Sequence, residues 1–116
     1  DITGWMTAPA TASSSPFAFT RQSGATPSFG TGPSSGFGGS GHYQFTEASS
    51  PRRAGDYFLL LYNGAVCSTN SATPIVGHVH FHYHMTGGGM GSLYVVATGG
   101  SVARTVWSRT GQQSTS

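Results

Sequence analysis

Four histidines occupy every second position of one short segment, His78, His80, His82 and His84, with Val79, Phe81, Tyr83 and Met85 between or after them. On a strand this alternation sends the imidazoles to one side and the apolar side chains to the other, so the spacing predicts a half-buried β-strand over 78–85. Same-face neighbours on a strand lie roughly 6.5–7 Å apart at the backbone, close enough for a His-x-His pair to converge on one ion. A zinc site here takes His80 with His78 or His82, plus a third ligand from another strand, with His42 as the available imidazole. The competing reading makes His78, His80 and His82 part of a polar, interfacial face. Imidazoles in such a row charge together in mild acid and repel one another, which predicts an assembly that loosens on acidification. The row carries no carboxylate to orient ligand imidazoles, which favours the interfacial reading over the metal site.

Other chemistry is poorly served. Cys67 is the only cysteine, so it cannot close a disulfide within the chain, and it sits in a Ser/Thr/Asn-rich stretch with no nearby cation to favour the thiolate. No serine stands in a Gly-x-Ser-x-Gly elbow, and neither Glu47 nor Asp56 has a recognisable spacing to a histidine. Gly38-Gly39 and Gly87-Gly88-Gly89 neither open a helical pattern nor precede a lysine, so they predict turns rather than phosphate cradles. Asn63 and Asn70 are followed by Gly-Ala and Ser-Ala, so no N-glycosylation sequon exists; O-linked sugars are compatible with the Ser/Thr/Pro-rich first third. The residues predict a protein that is not an enzyme.

Composition narrows the class further. The chain of 116 residues suffices for one domain with a modest core, and its low charged fraction, with abundant Gly, Ser and Thr, points away from a cytosolic enzyme. There is no lysine; five arginines against three acids leave a net charge of +2, with no basic cluster beyond Arg52-Arg53. Nucleic-acid binding is not expected from so small a basic footprint. No apolar run approaches the roughly 20 residues that cross a bilayer, so direct membrane insertion is not expected either. A chain beginning at Asp1 reads as a processed secreted segment.

The elements that must position these groups are strands. Phe17 to Arg21 is one candidate, His42 to Glu47 another with Tyr43 and Phe45 on one face, and Asp56 to Tyr62 is an apolar run of strand length. Between them, residues 34–41 form a Gly/Ser tract that predicts a flexible connection. Asn63 to Pro74 reads as a long loop carrying Cys67. The triple glycine at 87–89 predicts a reversal that pairs the histidine strand with Ser92 to Thr98, and Gly99-Gly100 predicts a second reversal into Val102 to Ser108. No window holds a helical period. The expected architecture is an all-β, mainly antiparallel sandwich or barrel of one domain over 1–116. Its expected core is Trp5, Phe45, Leu59, Leu61, Val79, Phe81, Tyr83, Leu93, Val95 and Trp107.

Several stretches, in order, resemble the MAM domains, extracellular modules of meprins, neuropilins and receptor tyrosine phosphatases. They are Gly4-Trp5; Thr20-Arg21-Gln22-Ser23-Gly24-Ala25-Thr26-Pro27-Ser28; Thr31-Gly32-Pro33; Tyr43 with Glu47-Ala48-Ser49-Ser50-Pro51-Arg52-Arg53; and Gly55-Asp56. The most specific portion is Phe81-x-Tyr83-His84-Met85, Gly87 and Met90-Gly91-x-Leu93-x-Val95, followed by Trp107-Ser108-Arg109 and Gly111-x-Gln113. The resemblance covers nearly the whole chain.

The resemblance implies an antiparallel jelly-roll β-sandwich outside the cell that works in adhesion, assembly or recognition. It also implies that Glu47 lies near a site able to hold calcium or sodium, with a surface or capping acid beside Arg52 or Arg53 as the preferred reading. The family's cysteines before Gly-Trp and at the start of the Tyr-His-Met strand are Thr3 and His78 here, so its usual disulfides are absent. The family pattern continues for several strands past Gln113. This predicts an incomplete sandwich completed by another chain or segment.

The expected function is therefore an extracellular, noncatalytic module making protein–protein contacts in a cell-surface or filamentous assembly, as a homo-oligomer or with other chains. Phe29, Phe37, His78, His80 and His82 are its expected interface residues. No cofactor is expected; a weak calcium or zinc site at Glu47, His78, His80 and His82 is the alternative. The alternative function is a carbohydrate-binding or targeting module of a secreted enzyme.

Overall fold

Seven short strands and one 3₁₀ turn are the regular elements of the computed structural model, which describes residues 4–64 and 76–113. Cys67 and most of the expected 63–74 loop lie outside the described residues. The strands are β1 (Trp5–Thr7), β2 (Phe17–Ala18), β3 (Thr20–Ser23), β4 (His42–Phe45), β5 (Phe58–Tyr62), β6 (Ser92–Gly99) and β7 (Val102–Thr110). The protein is all-β, as its periodicity predicts. Its sheets are small and unclosed: one of three strands in the order β1-β5-β2, and two pairs, β3-β4 and β6-β7. Among the described residues, no helix is long and apolar enough to cross a membrane.

The chain divides into two units, one of residues 1–24 and 35–81, the other of 25–34 and 82–116. In the first, β5 pairs antiparallel with β1, setting Trp5 opposite Tyr62, and parallel with β2, setting Phe17 opposite Phe58. Aromatic rings tie both pairings: Trp5 and Tyr62 lie 5.2 Å apart, and Phe17 and Phe58 5.8 Å. Thr7 joins the pieces, its hydroxyl accepting from Phe19 N–H (2.7 Å) and donating to Leu59 C=O (3.2 Å). Gly4 holds a φ of +88°, which favours glycine, and a Cβ there would press on the Tyr62 ring at 3.1 Å.

The run Phe58-Leu59-Leu60-Leu61-Tyr62 has no polar residue to mark its outer side. The aromatics choose the face. Phe58, Leu60 and Tyr62 turn inward together, while Leu59 and Leu61 are exposed, which corrects their expected place in the core. The predicted strand from Phe17 to Arg21 is likewise two strands with different partners: β2 joins β5, and β3 joins β4 with Gln22 opposite Tyr43.

Tyr43 secures the β3-β4 pair by donating from its hydroxyl to Gly24 C=O at 2.7 Å. Burial raises the pKa of its phenol above the ordinary value. The folded chain therefore holds this proton more tightly than the unfolded chain. The resulting stability is intact below the unfolded-state pKa and is lost as pH rises through the folded one. Tyr43→Phe is expected to cost about 0.5–1.5 kcal/mol at neutral pH and to remove this alkaline component, as read by urea melts at neutral and alkaline pH. An unchanged alkaline slope in the variant would contradict the assignment.

In the second unit, β6 and β7 form an antiparallel hairpin closed by Gly100-Ser101, with Gly100 at φ +60° and Ser101 at negative φ, the combination a type II′ turn requires. Val95 faces Trp107 and Val96 faces Thr105, so Val106 is the extra residue of a bulge. Met85 and Thr86 are buried, and Met85 C=O accepts from Gln113 N–H at 2.8 Å. Tyr83 stands edge-on to Trp107 with centroids 5.0 Å apart.

The expected histidine strand does not form: residues 78–85 join no ladder among the described residues, and Val79, Phe81 and Tyr83 are exposed rather than core. Alternation distributes side chains, but a strand also needs a partner edge for its N–H and C=O groups. Of the two pairings expected for β6, the one with β7 across a two-residue turn forms, and the one with the histidine segment does not. Gly87 to Met90 still forms a tight turn, with Met90 N–H donating to Gly87 C=O at 3.3 Å.

Candidate binding site

The first unit contains a half-open cleft of about 310 Å³ built where β2, β3 and β5 meet the turn after β4. Phe17, Phe19 and Phe58 supply its apolar part, with Phe19 edge-on to Phe58 at 6.3 Å. The pairing of Phe17 with Phe58 across β2 and β5 is what assembles these rings.

The cleft's polar groups come from Arg21 on β3 and from Glu47 and Arg52 in the turn after β4. That turn is locally determined. Glu47 Oε1 accepts from Ser49 N–H at 3.1 Å, and Arg52 N–H donates to Ser49 C=O at 3.1 Å. Further on, Asp56 Oδ2 accepts from Arg53 N–H at 2.9 Å while Asp56 N–H donates to Arg53 C=O. These short loops of hydrogen bonds fold the Ser-Ser-Pro-Arg-Arg stretch back so that Arg52 lies over Phe17, its guanidinium carbon 3.7 Å from the ring centroid.

A guanidinium stacked on an aromatic face gains from the ring quadrupole, about 0.5–2 kcal/mol depending on desolvation. Arg52 is nevertheless incompletely satisfied: its Nε is buried and has no hydrogen-bond partner among the described residues. A buried donor without an acceptor costs about 1–3 kcal/mol, and more when charged. Such a group beside aromatic rings can bind an acceptor, most strongly an anionic one.

Glu47, expected as a capping acid or a cation ligand, lines this cleft and caps the Ser49 turn. The histidine row is divided by the boundary between the units: His78 and His80 belong to the first, His82 and His84 to the second, and all four are exposed. His84 Nε2 lies 3.3 Å from the Thr86 hydroxyl. No group of three His, Cys, Asp or Glu side chains able to hold a metal ion occurs among the described residues. Phe29 and Phe37 are exposed, Phe29 completely.

Sequence reasoning noted Arg52 as part of a basic pair beside Glu47 and passed over Phe17, Phe19 and Phe58 as a group. The available signal was an aromatic pair at i and i+2 together with an arginine in a turn-rich segment. No protein-family model matches this chain, and no solved structure is a significant match to it.

Proposed function

We propose that the chain is an extracellular, noncatalytic β module of the MAM-like, jelly-roll kind that works by protein–protein contact. Its open sheets are completed by strands of a second polypeptide in a homo-oligomeric or multi-chain assembly. The observation that carries this reading is the large apolar surface left uncovered: Tyr94, Val96, Val102 and Val106 on the β6-β7 hairpin, Leu59 and Leu61 on β5, and Phe29 and Phe37 in loops are all exposed.

Two-stranded pairs also leave outer N–H and C=O groups to be satisfied by water or by an added strand. Large exposed apolar areas on small, unclosed sheets mark contact surfaces.

Sedimentation velocity of the 116-residue chain, with binding of an apolar dye followed in parallel, tests the reading. The expected result is concentration-dependent association with dye binding that falls as the chain associates. Phe29→Ser should weaken association at least about tenfold, as expected of an aromatic anchor. A monomer at all concentrations, melting cooperatively and binding no dye, would overturn the proposal.

A further inference from the structure

We propose that the cleft under Arg52 recognises an acidic segment of a partner protein, the Arg52 guanidinium pairing with an Asp or Glu carboxylate while Phe19 and Phe58 receive the apolar side chain next to it. This rests on the protein-contact reading and specifies what the contact recognises.

Three observations converge on it. First, the Arg52 Nε–H is a charged donor buried without an acceptor among the described residues. A carboxylate is the acceptor that compensates it best, because its two oxygens match the planar fork of Nε–H and Nη–H. Second, the guanidinium lies on Phe17 in a cleft shared with half-buried Phe19 and Phe58, with Arg21, and with Glu47, whose Oε1 already accepts from Ser49 N–H, so the site joins two cations and one engaged carboxylate to an apolar surface. An acidic side chain flanked by an apolar one has the same two parts at the same short separation. Third, the chain carries a net charge of +2, which favours encounter with an acidic partner.

The Nε–H has almost no accessible surface. The carboxylate therefore engages by sliding the guanidinium partly off the Phe17 ring, exchanging a cation–π contact for a charge-assisted pair. Binding should thus move Arg52 out of the ring current of Phe17, which nuclear magnetic resonance reads directly.

The test uses the ¹⁵N-labelled full chain, with the Arg52 Nε–H signal assigned by its disappearance in Arg52→Lys. The probes are acetyl-Leu-Glu-Phe-amide, the same peptide with Gln for Glu, and glucuronate. We expect the Glu peptide to shift the Arg52 Nε–H and the Phe19 and Phe58 amides saturably, and the Gln peptide to bind at least about tenfold more weakly. Arg52→Lys keeps the positive charge but lacks the Nε–H and the fork, and it should lose the peptide response while the β3-β4 amide signals stay in place. Equal binding of the two peptides, an unmoved Arg52 Nε–H at millimolar peptide, or full binding by Arg52→Lys would each overturn the proposal. So would a response to glucuronate alone, which would assign the cleft to acidic sugars. Self-association of Arg52→Lys, measured separately, distinguishes failure of this inference from failure of the contact reading: association that persists while the peptide does not bind sinks only the former.

Discussion

Replacing Phe17 with alanine is expected to lower the unfolding free energy of the first unit by about 3–5 kcal/mol. Phe17 is 4% exposed and, with Met85, is one of only two buried apolar side chains among the described residues. Its ring touches Phe58 across the β2-β5 pairing and carries the Arg52 guanidinium on its other contacts. The truncation therefore removes an aromatic pair and a cation–π contact, and leaves a cavity among side chains that belong to short, weakly cross-linked strands. Against a total stability of about 5–15 kcal/mol for an ordinary domain, such a loss leaves the unit close to unfolding.

The chain supplies its own probe. Trp5 lies in the first unit and Trp107 in the second, so a Trp107→Phe background reports the first unit alone through Trp5 fluorescence in a urea titration. Phe17→Leu in the same background should recover more than half of the loss, because it restores most of the buried volume. A Phe17→Ala cost below about 1 kcal/mol would mean that this ring is not packed as described.

Met85→Ala is the corresponding test of the second unit, with an expected cost of about 2–5 kcal/mol. Met85 is 4% exposed. The segment after it is anchored twice to the end of β7, through Gln113 N–H to Met85 C=O at 2.8 Å and Gly87 N–H to Gln112 Oε1 at 3.2 Å. The buried side chain and these hydrogen bonds hold 85–87 against the residues that follow β7, and loss of the thioether body should loosen both. In a Trp5→Phe background, Trp107 fluorescence follows the effect, aided by its contact with Tyr83 at 5.0 Å. Met85→Leu conserves volume and should cost less than about 1.5 kcal/mol. If Met85→Ala matched it, Met85 would not be the packing centre of this unit.

The two sites differ in how they could be read from the chain. Met85 ends a pattern whose alternation already placed it with the apolar set, so its burial follows from local parity even though the strand itself is absent. Phe17 stood in a recognised strand candidate, yet its importance comes from Phe58 and Arg52, respectively 41 and 35 positions away. No local period reports a pairing of that range. The β6-β7 hairpin was legible almost to the residue because its turn glycine and its flanking β-branched residues are adjacent in the chain.

Local chemistry in the chain thus settled that the described residues are mainly strands and where the β6-β7 hairpin turns, since backbone preference and side-chain parity act within a few residues. Tertiary structure alone decided which strands pair, which face of an all-apolar run such as Phe58–Tyr62 turns inward, and that a regularly alternating histidine segment is left outside every sheet. Those outcomes depend on competition among distant edges and rings for the same partners. The same competition laid Arg52 on Phe17 and left its Nε–H without an acceptor.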